Sequence, residues 1–290
     1  MRIRLIPAAM AALAVASIIA FAPDAGGAES DKAPNRYGTC TGSGRSSVDV
    51  VGLTDDQRLI CFRSDRPGRA RVIGKVTGLD TDTKLVGIDA RPANGSYYGV
   101  GDQGGVYTLD TGSARVNLVG RISVPLRGTA FGVDFNPAAD RLRIVSDAGQ
   151  NLRINVDTVA TTVDTDLSYT PGTPATGIVA AAYANNDLSA DTATTLFDVD
   201  SALDQVAIQS PPNNGSLAPT GKLGVDAVGD ASADIYSRTR GGAAQDNTGF
   251  AVLNGSTFYR LDVLTGRVAK VGTFSDKLTV IGIAVPVDQS

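Results

Sequence analysis

LVGIDARP (85–92), AFGVDFNP (130–137) and LGVDA (223–227) repeat one phrase, Gly–apolar–Asp. Weaker copies stand at TGIVAAA (176–182) and VIGIAVP (280–286). The glycines are Gly87, Gly132, Gly177, Gly224 and Gly282, spaced by 45, 45, 47 and 58 residues. Such even steps mark a structural repeat, and units of about 45 residues match propeller blades. The longer last step has a visible cause: residues 238–249 (RTRGGAAQDNTG) read as an inserted loop rich in turn formers.

Each phrase is followed by short runs rich in Val, Ile, Tyr and Thr, such as VYTLDTG (106–112), RLRIVSD (141–147) and TTLFDVDS (194–201). Gly, Asn and Asp punctuate them, which is the pattern of strands joined by tight turns. Asn94-Gly95, Asn214-Gly215 and Asn254-Gly255 fit two-residue hairpin turns. No amphipathic helix stands out beyond the N-terminal apolar stretch.

The two ends complement each other. VIGIAVP has only Val287–Ser290 after it, whereas VVGLTDDQRLICF (50–62) and RARVIGKV (69–76) have no glycine phrase before them. Joined, they make one whole blade, with the C-terminal strand innermost. A ring needs such a latch, because an open ring leaves unpaired sheet edges. The expectation is an all-β protein, a small propeller of five blades closed by the C-terminal strand. A six-bladed ring or a two-domain sandwich is the alternative that the irregular third unit leaves open.

Arg2 and Arg4, the apolar run 5–22 and Gly26-Gly27-Ala28 read as a secretory signal peptide. A membrane anchor is the competing reading of that run. The expected organisation is a signal peptide at 1–28, an N-terminal tail at 29–47 and one propeller domain at 48–287. The expected address is secreted or periplasmic, with no membrane span after cleavage. Removing Arg2, Arg4 and Asp24 takes the formal charge from −4 to −5. With no basic patch, nucleic acid is excluded as a partner. An even cysteine count in an exported chain favours a Cys40–Cys61 disulfide, with two free thiols as the alternative.

The chemistry is narrowed by what is missing. There is no His, no Trp, and Glu29 is the one Glu. That excludes a Ser–His–Asp triad and a His-ligated zinc. Asp89, Asp134 and Asp226 occupy the same place in three units, with Val179 and Ala284 in the other two. As a site, they would form a partial ring of carboxylates around the channel, joined by Asn136, able to hold a cation such as Ca²⁺. As structure, each would accept backbone N–H groups of a turn or a neighbouring blade. The second reading explains a recurrence in step with the repeat more simply. Asp110, Asp157, Asp200 and Asp262 precede turns and read as turn acceptors. The arginines 58, 63, 66, 69 and 71 stand beside Asp55, Asp56 and Asp65 and read as a paired surface.

The stretches VGLTDDQRLICF (51–62), LVGIDARPANGSYYGVG (85–101), FGVDFNPAADRLRIVSDAGQNLRINVD (131–157), AAAYANN (180–186), TTLFDVDS (194–201) and PPNNGSLAPTGKLGVD (211–226) resemble an exported bacterial family catalogued as domain of unknown function 4394. The resemblance covers about residues 50–287 and implies export and a propeller-like repeat. It carries no activity, ligand or catalytic residue. Two functions remain. One is a binding or scaffold module of the cell envelope or secreted space, with a glycan or an envelope protein as partner, no catalytic residue and no cofactor. The other is a metal-dependent hydrolase or lactonase using a channel cation held by the aspartates.

Overall fold

A computed structural model of the protein describes residues 47–189, 191–229 and 231–288. The expected signal peptide, and the expected tail apart from Ser47, lie outside them. The chain runs through β1 (Asp49–Thr54), β2 (Arg58–Arg63) and β3 (Arg71–Lys75) into four further sheets. These are β4 (Leu85–Ala90), β5 (Tyr97–Gly101), β6 (Gly105–Asp110) and β7 (Arg115–Arg121), then β8 (Phe131–Asn136), β9 (Arg141–Ser146), β10 (Asn151–Asn155) and β11 (Ala160–Val163). Then come β12 (Ile178–Tyr183), β13 (Leu196–Asp200), β14 (Gln205–Gln209) and β15 (Leu217–Lys222), and β16 (Ala231–Arg240), β17 (Ala243–Leu253), β18 (Thr257–Leu261) and β19 (Val268–Thr273). Finally β20 (Val280–Ala284) returns to the first sheet.

Every sheet among the described residues is antiparallel and four-stranded, and five are present. The first has the order β20-β1-β2-β3, with Val51 opposite Ala284 and Leu53 opposite Gly282. The innermost strands β4, β8, β12, β16 and β20 touch in that order, and β20 touches β4. The described residues thus form a five-bladed β-propeller latched by its C-terminal strand. The six-bladed and two-domain alternatives fall.

Alternating side chains fill the wedges between blades. Five buried clusters lie one per wedge. The seam where β20 closes the ring is the aromatic one: the Phe62 ring lies 5.1 Å from Phe258 and 5.0 Å from Phe274, both edge-on, a favoured aromatic geometry.

The repeat is shifted in two units. Gly177, at φ +136, stands just before β12, and Gly224, at φ +78, lies in the loop before β16. The inner strand of the fifth blade is therefore Ala231–Arg240, not LGVDA. Residues 238–249 are also not a loop. They extend β16 and β17 into a long hairpin that pairs as far as Arg240 opposite Ala243, past a register shift at Arg238/Thr239. Gly241 and Gly242, at φ +62 and +82, supply the two-residue turn that lets both strands continue. Of the three Asn-Gly pairs, Asn254-Gly255 has both residues at positive φ; at the other two only the Gly does.

Candidate functional site

The inner strand of each blade has one edge facing the axis, where its N–H groups lack a strand partner. At the axis the strands are so close that side chains must be small. A Cβ on Gly87 would lie 2.4 Å from Val133 Cγ2, and one on Gly132 would lie 2.5 Å from the Ala181 nitrogen. The axial cavity at this level is about 10 Å³, lined by all five inner strands. That is near the lower bound for one water molecule.

Two residues further along lies the hub. Asp89 of β4 accepts the Phe135 N–H of the next blade at 2.7 Å. Asp134 of β8 accepts the Tyr183 N–H at 3.0 Å. Asp234 of β16 accepts the Val285 N–H at 2.6 Å. The blade-to-blade pattern sets the equivalent positions at Asp89, Asp134, Ala182, Asp234 and Ala284. Two blades thus have alanine where the others have aspartate.

The N–H groups beyond those alanines are not left bare. Asp234 turns its second oxygen to its own neighbour, accepting the Ile235 N–H at 2.6 Å, and the Ala90 N–H lies beside the Asp89 carboxylate and favours its charged form. Three carboxylates therefore accept the corresponding N–H of four blades, at 135, 183, 235 and 285, and face that of the remaining one at 90. Ser232 adds a further bond, accepting the Ile283 N–H at 2.8 Å.

These carboxylates are buried and crowded. One oxygen from each of Asp89, Asp134 and Asp234 lies within 4.8 Å of the others. Burial, and then the charge of Asp234, pushes Asp89 well above the ordinary carboxylate range. Burial, and then the charges of Asp89 and Asp234, does the same to Asp134. Burial pushes Asp234 up to about 7. Like charges this close in an apolar setting favour shared protons at neutral pH.

Of the residues expected at the site, the fold brings Asp89 and Asp134 together. Asn136 instead closes a turn, its Oδ1 accepting the Ala138 and Ala139 N–H groups at 3.0 and 2.9 Å. Asp226 is exposed in the loop before β16, away from the hub, because its glycine phrase is not the inner strand. The third hub carboxylate is Asp234, inside Ser232-Ala233-Asp234. A search for small–apolar–Asp, rather than Gly–apolar–Asp, finds it. Cys61 is buried in β2, and Cys40 lies outside the described residues.

The outer aspartates divide. Asp110, Asp200 and Asp262 close turns by accepting the N–H two residues on. Asp157 does not; Asn155 closes that turn, and Asp157 pairs with Arg91. The basic cluster is paired in part, Arg58 with Asp56 at 2.7 Å and Arg63 with Asp65 at 3.2 Å. Between the third and fourth blades, Arg143 is fully buried against Asp164 and Asn151, at 2.7 and 2.6 Å. Beside it, Asp198 is buried with no hydrogen-bond partner for either oxygen among the described residues, and burial raises its pKa well above the ordinary range.

The family described as "Domain of unknown function (DUF4394)" matches residues 58–284, and the chain belongs to that family. No curated protein matches the chain. Among solved structures it is similar to an auxiliary nutrient binding protein from Bacteroides thetaiotaomicron, at 14% identity and TM-score 0.45, over 81% of this chain and 63% of that one. A second such protein, from Bacteroides ovatus, is 13% identical with TM-score 0.39, over 76% of this chain and 57% of that one. A glutaminyl cyclase from Myxococcus xanthus is 15% identical with TM-score 0.37, covering 69% of each chain. The chain thus spans less than two thirds of the length of the two Bacteroides proteins.

Proposed function

We propose that this member of the DUF4394 family is an exported binding module of the cell envelope or secreted space, with a hub that holds the ring together and conducts no reaction. The observation that carries this reading is the orientation of the hub carboxylates. Asp89, Asp134 and Asp234 each accept an inner-edge N–H of the following blade, and the axial cavity beside them is about 10 Å³. That cavity is too small for a substrate. The leader-like residues 5–22 support export. Among the described residues no helix is long and apolar enough to cross a membrane.

The hydrolase reading needs a cation at the hub. Ca²⁺ takes six to eight oxygen ligands, whereas these oxygens face N–H donors and two of the five positions are alanine. The test pairs calorimetric titration with Ca²⁺ and a glycan array with a lactone-hydrolysis assay. Saturable binding to a glycan or an envelope component, with hydrolysis at background, is the expected result. Tight Ca²⁺ binding, with hydrolysis abolished by Asp134→Asn, would overturn the reading.

A further inference from the structure

The wedges between blades are filled in different ways. Between the second and third blades a guanidinium plugs the outer wedge. Arg91 donates to Asp140 at 2.8 Å and to Asp157 at 2.7 Å. Between the fourth and fifth blades the same place is open, and a cleft of about 760 Å³ stands there. Ligand pockets span about 300–1,000 Å³.

The repeat shows why it is open. Arg91 follows Ala90, and Ala184 follows Tyr183, the equivalent clasped residue. Asp140 precedes Arg141, which faces Asn136, and Asn247 precedes Thr248, which faces Tyr236. Asp157 is the turn residue whose N–H bonds Asn155, and Leu264 is the one whose N–H bonds Asp262. The trio Arg91, Asp140 and Asp157 thus becomes Ala184, Asn247 and Leu264. Both acids and the base are gone together.

What remains is a largely apolar wall with a polar rim of Asn185, Asn247, Arg260, Asp262 and Arg267. Ala184, Phe197, Ile235, Leu261, Val263 and Val268 line the cleft, and Leu264 is 69% exposed at its mouth. At the rim, the Asn247 amide donates to Asn185 Oδ1 at 2.7 Å. The Asp262 carboxylate is held by the Leu264 and Thr265 N–H groups. Arg260 lies over the Phe250 ring, 5.9 Å from its centroid, and that ring packs in the fifth-to-first wedge.

We propose that this cleft is a binding site for an uncharged ligand with an apolar or aromatic body and a polar group that meets the asparagine rim. The inference rests on the binding-module reading and names the ligand class. A charged body would leave water for a largely apolar wall, where the one lining acid, Asp262, already accepts the Leu264 and Thr265 N–H groups, which is costly. Arg260 and Arg267 also border the cleft, so an anion is the strict control.

The chain has no Trp, so the fluorescence anisotropy of naphthyl probes reports binding directly. The probes are 2-naphthol, 2-naphthoate and 2-naphthylmethylammonium at pH 7. The expected result is that 2-naphthol binds about tenfold more tightly than either charged probe. Leu264→Asp should weaken that binding. The triple variant Ala184→Arg, Asn247→Asp, Leu264→Asp, which rebuilds the plug, should abolish it. Circular dichroism melting checks that the triple variant folds; if it does not, Leu264→Asp at the exposed mouth carries the test. Equal or tighter binding of a charged probe overturns the ligand class while the module reading stands. Binding that Leu264→Asp leaves unchanged, or no binding at all, removes the cleft as the site; the glycan array then judges the module reading separately.

Discussion

The Asp234 carboxylate accepts the Val285 N–H at 2.6 Å, so a side chain of the fifth blade holds the segment that completes the first. Its other oxygen holds the Ile235 N–H at 2.6 Å. The ring is thus closed twice, by pairing of β20 with β1 and by this clasp from the opposite side. The hub acids belong to the closure of the sheet edges, and their burial follows from it.

The burial has a consequence for pH. An Asp whose folded pKa is raised binds more protons folded than unfolded. Its stabilising contribution is complete below the unfolded value of 3.8 and is lost as pH rises through the folded value, about 7 for Asp234. Asp89, Asp134 and Asp198 act in the same direction. Asp110, held low by the Ser113 hydroxyl, acts oppositely and loses its contribution as pH falls below 3.8. Melting followed by circular dichroism should therefore give a higher Tm at pH 5 than at pH 8. Asp234→Asn should flatten that slope. A Tm that rises from pH 5 to pH 8 would contradict the shared-proton hub.

Gly132 tests how closely the inner strands approach. Its Cβ would lie 2.5 Å from the Ala181 nitrogen and 2.7 Å from the Ala180 carbonyl carbon, both backbone atoms that cannot rotate away. Gly132→Val should cost about 3 kcal/mol in urea unfolding. Gly172→Ala, where a Cβ meets nothing within 4 Å, controls for chain stiffness; its φ of +83 adds only local strain. Equal losses in the two variants would show that contact at the axis is not the cause.

Cys40 and Cys61 are expected to be joined. Peptide mapping by mass spectrometry without reductant should recover the two cysteines in one cross-linked fragment. Recovery of two separately alkylated cysteines would rule the bond out.

Much of this was legible in the sequence, for physical reasons. Gly87 and Gly132 recur because the next inner strand leaves no room for a side chain, through the Val133 side chain at Gly87 and the Ala180–Ala181 backbone at Gly132, and Gly282 marks the strand that returns to Leu53. That was enough to place the latch. The same pressure for smallness is also met by Ala180 and Ser232, and there the phrase misleads. Gly177 and Gly224 satisfy the phrase through positive φ in connections, which spelling alone does not separate from an inner strand. The phrase points to Asp226 in place of Asp234 on that account. Gly241-Gly242 suggests a loop from sequence because turn formers look alike whether the strands beside them stop or continue. The wedge trio joins residues 49 and 66 apart, and only the curl of the ring brings them together.

The clasp is tested most directly by comparing three isosteric variants. Asp234 accepts two backbone N–H groups, and Asp89 accepts the Phe135 N–H with the Ala90 N–H beside it, so Asn at either position sets its NH₂ against a backbone N–H. Among the described residues Asp134 accepts a single backbone N–H, that of Tyr183, which the Asn carbonyl can still take. In urea unfolding at pH 7, Asp89→Asn and Asp234→Asn should each lose about 1–3 kcal/mol, while Asp134→Asn stays near the wild type. Equal losses at all three positions, or the largest loss at Asp134, would contradict the assignment of these carboxylates to the backbone.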